Sequence, residues 1–290
     1  MATFLVWIKF LVCATIILVS GAKLAWHGDA IAEKTGRGGV WIGLLLLAVV
    51  TSMPELVTGA SSVALVGSPN LALGVVFGSN LFNLLIIAIL DILHRPGPLL
   101  SKASRGLLVT ALLSILLIAF AAGGILLGNQ LWSFKIGWFG VYSIALVLLY
   151  LAGARLVFRF ERGHQGVSPE VVPRYQEVSS RRTYLGFATS ALVIIGAGTW
   201  LAIIGDEISA STGWSTTFVG SLFLAAGTSL PELAVSVAAL RLGAIDMAIA
   251  NMLGSNMFNM GIVIAADDLF YRGGFILSGV SPSHFFTAIL

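Results

Sequence analysis

The chain has 290 residues, of which 58% are hydrophobic and only 10% charged, with a mean hydropathy of +0.99. A soluble globular domain carries about 25% charged residues, so the composition excludes a soluble enzyme or binding module and describes an integral membrane protein. The formal charge of +3 and a pI near 9.2 do not mark a nucleic-acid binder, because the basic residues form no patch with interleaved aromatics.

Apolar runs of roughly 20 residues predict membrane-spanning helices in chain order. The first covers residues 4–22 and lacks the basic leader and small-residue cleavage site of a signal peptide, so it reads as a helix. It contains the lone Cys13, which excludes an internal disulfide, and Lys9, which is expected to snorkel to the interface. Further spans follow at 40–65, 71–91, 104–127, 135–157, 183–204, 216–240 and 246–266, and a ninth begins near Ser283. No alternation at the barrel period is visible, so an all-α membrane protein is the expected way to satisfy backbone groups in lipid.

Basic residues are distributed by loop. Lys23, Lys34 and Arg37 fall in the first, Arg95, Lys102 and Arg105 in the third, Arg155, Arg159, Arg162, Arg174, Arg181 and Arg182 in the fifth, and Arg241 in the seventh. The even loops hold only Lys135 and Arg272. The positive-inside rule then puts the odd loops in the cytoplasm and the N-terminus outside, with the cell's plasma (inner) membrane as the expected location.

Residues 159–182 are the one sizeable polar segment, and they divide two related halves. TSMPEL at 51–56 recurs as TSLPEL at 228–233, an offset of 177, and GSNLFN at 78–83 recurs as GSNMFN at 254–259, an offset of 176. A first half of five helices forces the second to enter the membrane inverted, which predicts an inverted repeat of two five-helix halves. The expected organisation is a first repeat at 1–158, a cytoplasmic linker at 159–182 and a second repeat at 183–290. Because the sequence stops inside its ninth helix, the chain is expected to be a fragment or truncated product.

The motifs carry polar chemistry at the centre of apolar spans. Pro54 and Pro231 have no amide hydrogen, so the carbonyls of Val50 and Gly227 lose their helical partners. Glu55 and Glu232 follow directly, and an ionised carboxylate at membrane depth costs about 2.5–3.5 kcal/mol unless a cation or proton accompanies it. No lysine or arginine lies at comparable depth. Thr51 and Glu55, Thr228 and Glu232, Ser79 and Asn83, and Ser255 and Asn259 are each four residues apart and share helix faces. Carboxylates, hydroxyls, amide oxygens and freed carbonyls make an oxygen cage suited to Ca2+ or Na+, whereas no cysteine or histidine at this depth offers a zinc or copper site. Gly78 and Gly254 allow close helix approach.

Taken singly, T-S-x-P-E reads equally as a proline kink and G-S-N as small-residue packing; their joint duplication favours the ion site. Asn70 and Asp246 read as N-caps, Asp91 and Asp267 as an equivalent interfacial pair, and Asp206 and Glu207 as a solvated outer loop. His27, His94, His164 and His284 are placed at the surface.

With these paired motifs the whole chain resembles the cation/calcium exchanger superfamily of sodium/calcium exchangers. The resemblance implies ten helices in two inverted halves, Na+ entry driving Ca2+ extrusion by alternating access, no enzymatic activity, no cofactor, and a first and sixth helix that slide across the core. It implies cation-lining positions at Thr51, Ser52, Glu55, Ser79, Asn83, Thr228, Ser229, Glu232, Ser255 and Asn259. Three departures stand out: Val50 replaces a usual glycine, Asn259 replaces an aspartate of many sodium-coupled members, and the last helices are missing. Ca2+/H+ exchange and a truncated, nonfunctional paralogue remain alternatives. A channel would need an open path, and an intramembrane hydrolase would need a base beside Ser52 or Ser229.

Overall fold

A proline just inside a helix and a serine just before it set the architecture at two places. A computed structural model describes residues 2–34, 47–94, 97–102, 104–131, 135–137, 139–164, 175, 178–241 and 245–289. Residues 47–51 are helical, Ser52 interrupts them with φ −84° and ψ 8°, and α2 (Met53–Ala64) continues beyond. The second motif breaks in the same way, with Ser229 at φ −83° and ψ 4° between α7 (Thr216–Thr228) and α8 (Leu230–Arg241), whose axes bend by 42°.

The remaining elements are α1 (Ala2–Lys34), α3 (Pro69–Leu93), α4 (Arg105–Leu131), α5 (Val141–His164), α6 (Ser180–Thr212), α9 (Ile245–Phe270) and the short α10 (Ser283–Ile289). Among the described residues, six helices are long and apolar enough to cross a membrane, and the bent α7–α8 pair makes a seventh. The molecule is an integral, multi-pass helical membrane protein.

Helices α3 and α9 form the centre. Every residue from 71 to 80 is buried, and one large core cluster joins Phe77, Leu117, Leu146 and Phe258, across α3, α4, α5 and α9, with Phe275 of the segment that follows α9. Gly78 lets α3 meet α7 backbone to backbone, since a Cβ there would collide with the Ser221 carbonyl. α1 and α6 lie together on the outside, where Cys13 Sγ donates to the Ala197 carbonyl at 3.1 Å and Lys9 bridges to Glu207 at 2.7 Å. Gly21 of α1 packs on Pro231, and Gly198 of α6 packs on Val57 and Thr58, so the outer pair touches both broken helices.

Several elements differ from the sequence expectation. α1 runs on through Lys23 to Lys34, so both lysines are helical rather than in a loop; Arg37 lies outside the described residues. Lys135–Ile136 pairs with Phe139–Gly140 in a two-residue antiparallel ladder, and α5 starts only at Val141. Asp206 and Glu207 belong to α6, and Lys9 is held by Glu207 rather than reaching freely outward. His284 is fully buried and stacks on Phe77 at 6.1 Å, and His27 is half-buried within α1, because tertiary packing covers positions that the chain pattern placed at helix ends. Of the polar segment 159–182, the ends are helical and residues 165–174 and 176–177 lie outside the described residues.

Asn70 and Asp246 are ties rather than caps. Ser68 caps α3 by accepting from the Leu71 amide. Asn70 Oδ1 accepts from the Ser281 amide at 2.8 Å, and Asp246 Oδ1 accepts from the Ser104 amide at 3.0 Å. Each half thus pins the loop of the other with an equivalent bond.

Candidate functional site

The two broken turns place Glu55 and Glu232, both 1% exposed, in the middle of the molecule, and each is bound by serines from both halves. Glu55 Oε1 accepts from Ser79 of α3 at 3.1 Å and from Ser229, in the opposite broken turn, at 3.2 Å. Glu232 Oε1 accepts from Ser52, in the first broken turn, at 3.1 Å and from Ser255 of α9 at 3.5 Å. The arrangement is reciprocal: each motif's serine serves the other motif's glutamate. Thr228 Oγ1 lies 3.3 Å from Ser79 Oγ, and Thr51 Oγ1 lies 3.3 Å from Asn251 Oδ1. All ten residues singled out from the sequence are buried; these bonds join seven of them to one another and tie an eighth, Thr51, to Asn251.

The remaining two, Asn83 and Asn259, join through residues not singled out. Asn83 Nδ2 donates to Asn256 Oδ1 at 2.8 Å, and Asn259 Nδ2 donates to Asn80 Oδ1 at 3.2 Å. These amide pairs again cross between the halves and fix which end of each side chain is free. Within this network four buried acceptors are left with no donor, Glu55 Oε2, Glu232 Oε2, Asn83 Oδ1 and Asn259 Oδ1, and one donor, Asn80 Nδ2, is left with no acceptor. A buried acceptor without a partner costs about 1–3 kcal/mol, more if charged, and four of them in one network are the chemistry that a hard cation satisfies. Among the described residues no three His, Cys, Asp or Glu side chains cluster as a metal site; the donor set is carboxylate, amide and hydroxyl oxygen.

Sequence reasoning missed Asn80, Asn251, Asn256 and Ser236. Asn251 is fully buried, donates to Ser236 at 3.2 Å and stands four residues before Ser255 on the face that continues to Asn259. That i, i+4 stripe of amide, hydroxyl and amide was visible, and an amide inside an apolar span needs a partner in its own right.

Asn259 also opens a π-helical turn, Asn259–Val263, which its counterpart Asn83 lacks. The turn inserts one residue and restores the offset of 177, so the partner of Asp91 is Asp268 and not Asp267. Asp91 accepts from the Leu99 amide and Asp268 from the Ile276 amide, each eight residues onward. Asp268 further accepts from Gly140 N and Ser143 Oγ, both at 2.8 Å. Asp267 is displaced into the interior, fully buried with both oxygens unpartnered, against Gly59, where a Cβ would come within 2.6 Å.

The family model described as sodium/calcium exchanger protein matches residues 5–159 and 182–289. The inner membrane protein YrbG of Escherichia coli K12 is 30% identical over 263 residues, covering 89% of this chain and 78% of its own length. A sodium/calcium exchanger of Methanosarcina acetivorans is 27% identical, covering 96% of this chain and 85% of its own. Among solved structures, the sodium-calcium exchanger NCX_Mj superposes with a TM-score of 0.61 at 21% identity, over 98% of this chain and 88% of that one. An H+/Ca2+ exchanger, CAX, superposes with a TM-score of 0.74 at 15% identity, over 98% and 73%.

Proposed function

The chain belongs to the sodium/calcium exchanger family, and from that premise we propose that it is a secondary active transporter exchanging Ca2+ for Na+ by alternating access. The observation that carries this reading is the set of four buried acceptor oxygens without donors, two from carboxylates and two from amides, held in place by serine and asparagine bonds that cross between the halves. Ca2+ takes six to eight oxygen ligands, and hydroxyls of Thr51, Ser52, Ser79, Thr228, Ser229 and Ser255 stand beside the four. Two carboxylates carry two negative charges, which one Ca2+ or two monovalent ions balance equally.

Two inverted repeats, 1–158 and 183–290 joined by a linker at 159–182, fit the reciprocal bonds, and the charge bias of the loops puts that linker in the cytoplasm and the N-terminus outside. Support comes from equivalent pairs that all run from one half to the other: Ser52 with Ser229, Asn70–Ser281 with Asp246–Ser104, Asn83–Asn256 with Asn259–Asn80, and Gly21 with Gly198. In this reading α1 and α6 slide over the broken helices and expose the cage to each side in turn.

Ca2+/H+ exchange is the second reading, favoured by Asn259 in place of a third carboxylate, since Glu55 and Glu232 can each carry a proton. Purified protein in liposomes, assayed for radiolabelled Ca2+ uptake against outward Na+ or H+ gradients, tests both. Uptake driven by Na+ alone supports the first reading, uptake driven by H+ alone the second, and uptake that needs neither gradient refutes exchange.

A further inference from the structure

Between α1 and α6, at the end of the pair nearest residues 159–182, lies an open groove of about 1190 Å³. Lys23 and His27, one turn apart on α1, line one side, and Arg181 and Arg182, in the first turn of α6, line the other. Lys23, Arg181 and Arg182 are exposed, and none has a carboxylate within ion-pair distance among the described residues, where the single ion pair, Lys9 with Glu207, stands at the opposite end of the same helices. Ser179 caps α6, so the positive end of that helix adds to the three charges. Trp26, 43% exposed, stands edge-on to the His27 ring at 4.8 Å, and Leu185 supplies an apolar wall. A tryptophan at this level is characteristic of the interfacial belt of a membrane.

A second groove, of about 380 Å³, continues from the first and shares Lys23, Thr189 and Ser190 with it. It runs along α1 past Val19 to Thr15 and along α6 to Val193. Eight residues separate Lys23 from Thr15, about 12 Å of helix, so the trough leads from the basic end toward the apolar middle of the pair. Val19 and Val193 are both close to half exposed, as residues facing lipid are.

Three cations with no carboxylate partner among the described residues, above an apolar trough, match a molecule with an anionic phosphate at one end and a hydrocarbon chain at the other. A free phosphate would use the upper groove and leave the trough unexplained, whereas basic pockets between helices at a membrane face are suited to phospholipid headgroups. We propose that α1 and α6 hold one anionic phospholipid, its phosphodiester on Lys23, Arg181 and Arg182 and an acyl chain laid along Val19 and Val193. The lipid would bind the outer helix pair and leave the central oxygen network untouched.

The test is native mass spectrometry of the full chain in detergent, titrated with phosphatidylglycerol and, separately, phosphatidylcholine. One phosphatidylglycerol should be retained in preference to phosphatidylcholine. The triple variant Lys23→Gln/Arg181→Gln/Arg182→Gln should lose retention by about fivefold per charge, on the order of a hundredfold together. Arg155→Gln/Arg159→Gln, which removes two exposed cations of α5, should retain the lipid as the parent does. Val19→Trp fills the trough without touching a charge and should also weaken retention. Equal binding of the two lipids, or undiminished retention in the triple variant, overturns the proposal. So does displacement by excess inorganic phosphate combined with a silent Val19→Trp, which would leave a simple anion pocket. Should the triple variant fail to fold, Val19→Trp and the lipid preference of the parent decide the matter alone.

Discussion

Replacing Glu232 by glutamine isolates charge from shape. Glu232 Oε1 accepts from Ser52 at 3.1 Å and Ser255 at 3.5 Å, and its Oε2 has no donor. A glutamine can present its carbonyl to the two serines and place its amide nitrogen at the vacant oxygen position, so the packing and the cross-half bonds survive. What changes is that a donor stands where a cation needs an acceptor and that one of two negative charges is gone. At an effective dielectric of 20, two unit charges 4 Å apart attract by about 4 kcal/mol, and a divalent ion doubles this. Even if rearrangement recovers half of that attraction, Ca2+ affinity should fall by on the order of 10³-fold. The fold should be unharmed or steadier, because a buried charge is removed. Radiolabelled Ca2+ uptake in proteoliposomes, run beside a thermal melt, separates the two effects. Ca2+ exchange at parental levels in Glu232→Gln, with the same melt, would refute the assignment; the reciprocal bonding makes the same demand of Glu55→Gln.

Three other perturbations follow from the same geometry. Asn259→Asp adds a third carboxylate to the network and should make Ca2+ flux respond more steeply to an imposed K+/valinomycin potential, or strengthen its Na+ dependence; equal voltage response in parent and variant would count against a two-charge site. Asp268→Ala strands the buried Gly140 and Ile276 amides and should destabilise the protein by about 2–4 kcal/mol, read as a lowered unfolding temperature, with no loss expected if those donors find water. In a Cys13→Ser background, a cysteine at Ser168 should react with impermeant reagent only when the cytoplasmic side is opened, and one at Ser211 from outside; the reverse pattern would invert the topology.

Most spans and the central cluster of buried polar residues were legible because both are written locally. Long apolar runs mark helices wherever they pack, and a proline beside a glutamate at mid-span is costly enough to demand a reason. Much else depended on tertiary contact. Nothing in NMFNMGIV announces a π turn, yet that single extra residue decides whether Asp267 or Asp268 takes the role of Asp91. Asn70 and Asp246 have the residue types of caps, and only the approach of the loops at Ser281 and Ser104 turns them into ties. His284 lies near the end of the chain and is covered because Phe77 of a distant helix comes over it. Asn80 and Asn256 sat inside the quoted motif; their role emerged only when each was seen to take the amide of the other half's asparagine.

The outer helix pair also has a mechanical consequence. Lys9, held by Glu207, and Lys23, beside Arg182, are fourteen residues apart on α1, about 21 Å along its axis, whereas the hydrocarbon layer of a typical bilayer is about 30 Å thick. Lys23 can stretch outward to close the difference, but Lys9 is engaged and has less freedom to do so. If these two charges set the edges of the apolar band on this pair, the lipid beside it would thin, at a cost of a fraction of a kcal/mol per ångström. A helix pair that changes its tilt against the core changes how much thinning it imposes, which would couple exchange to the acyl-chain length of the surrounding membrane: long-chain lipids would resist the more tilted arrangement and short-chain lipids would ease it.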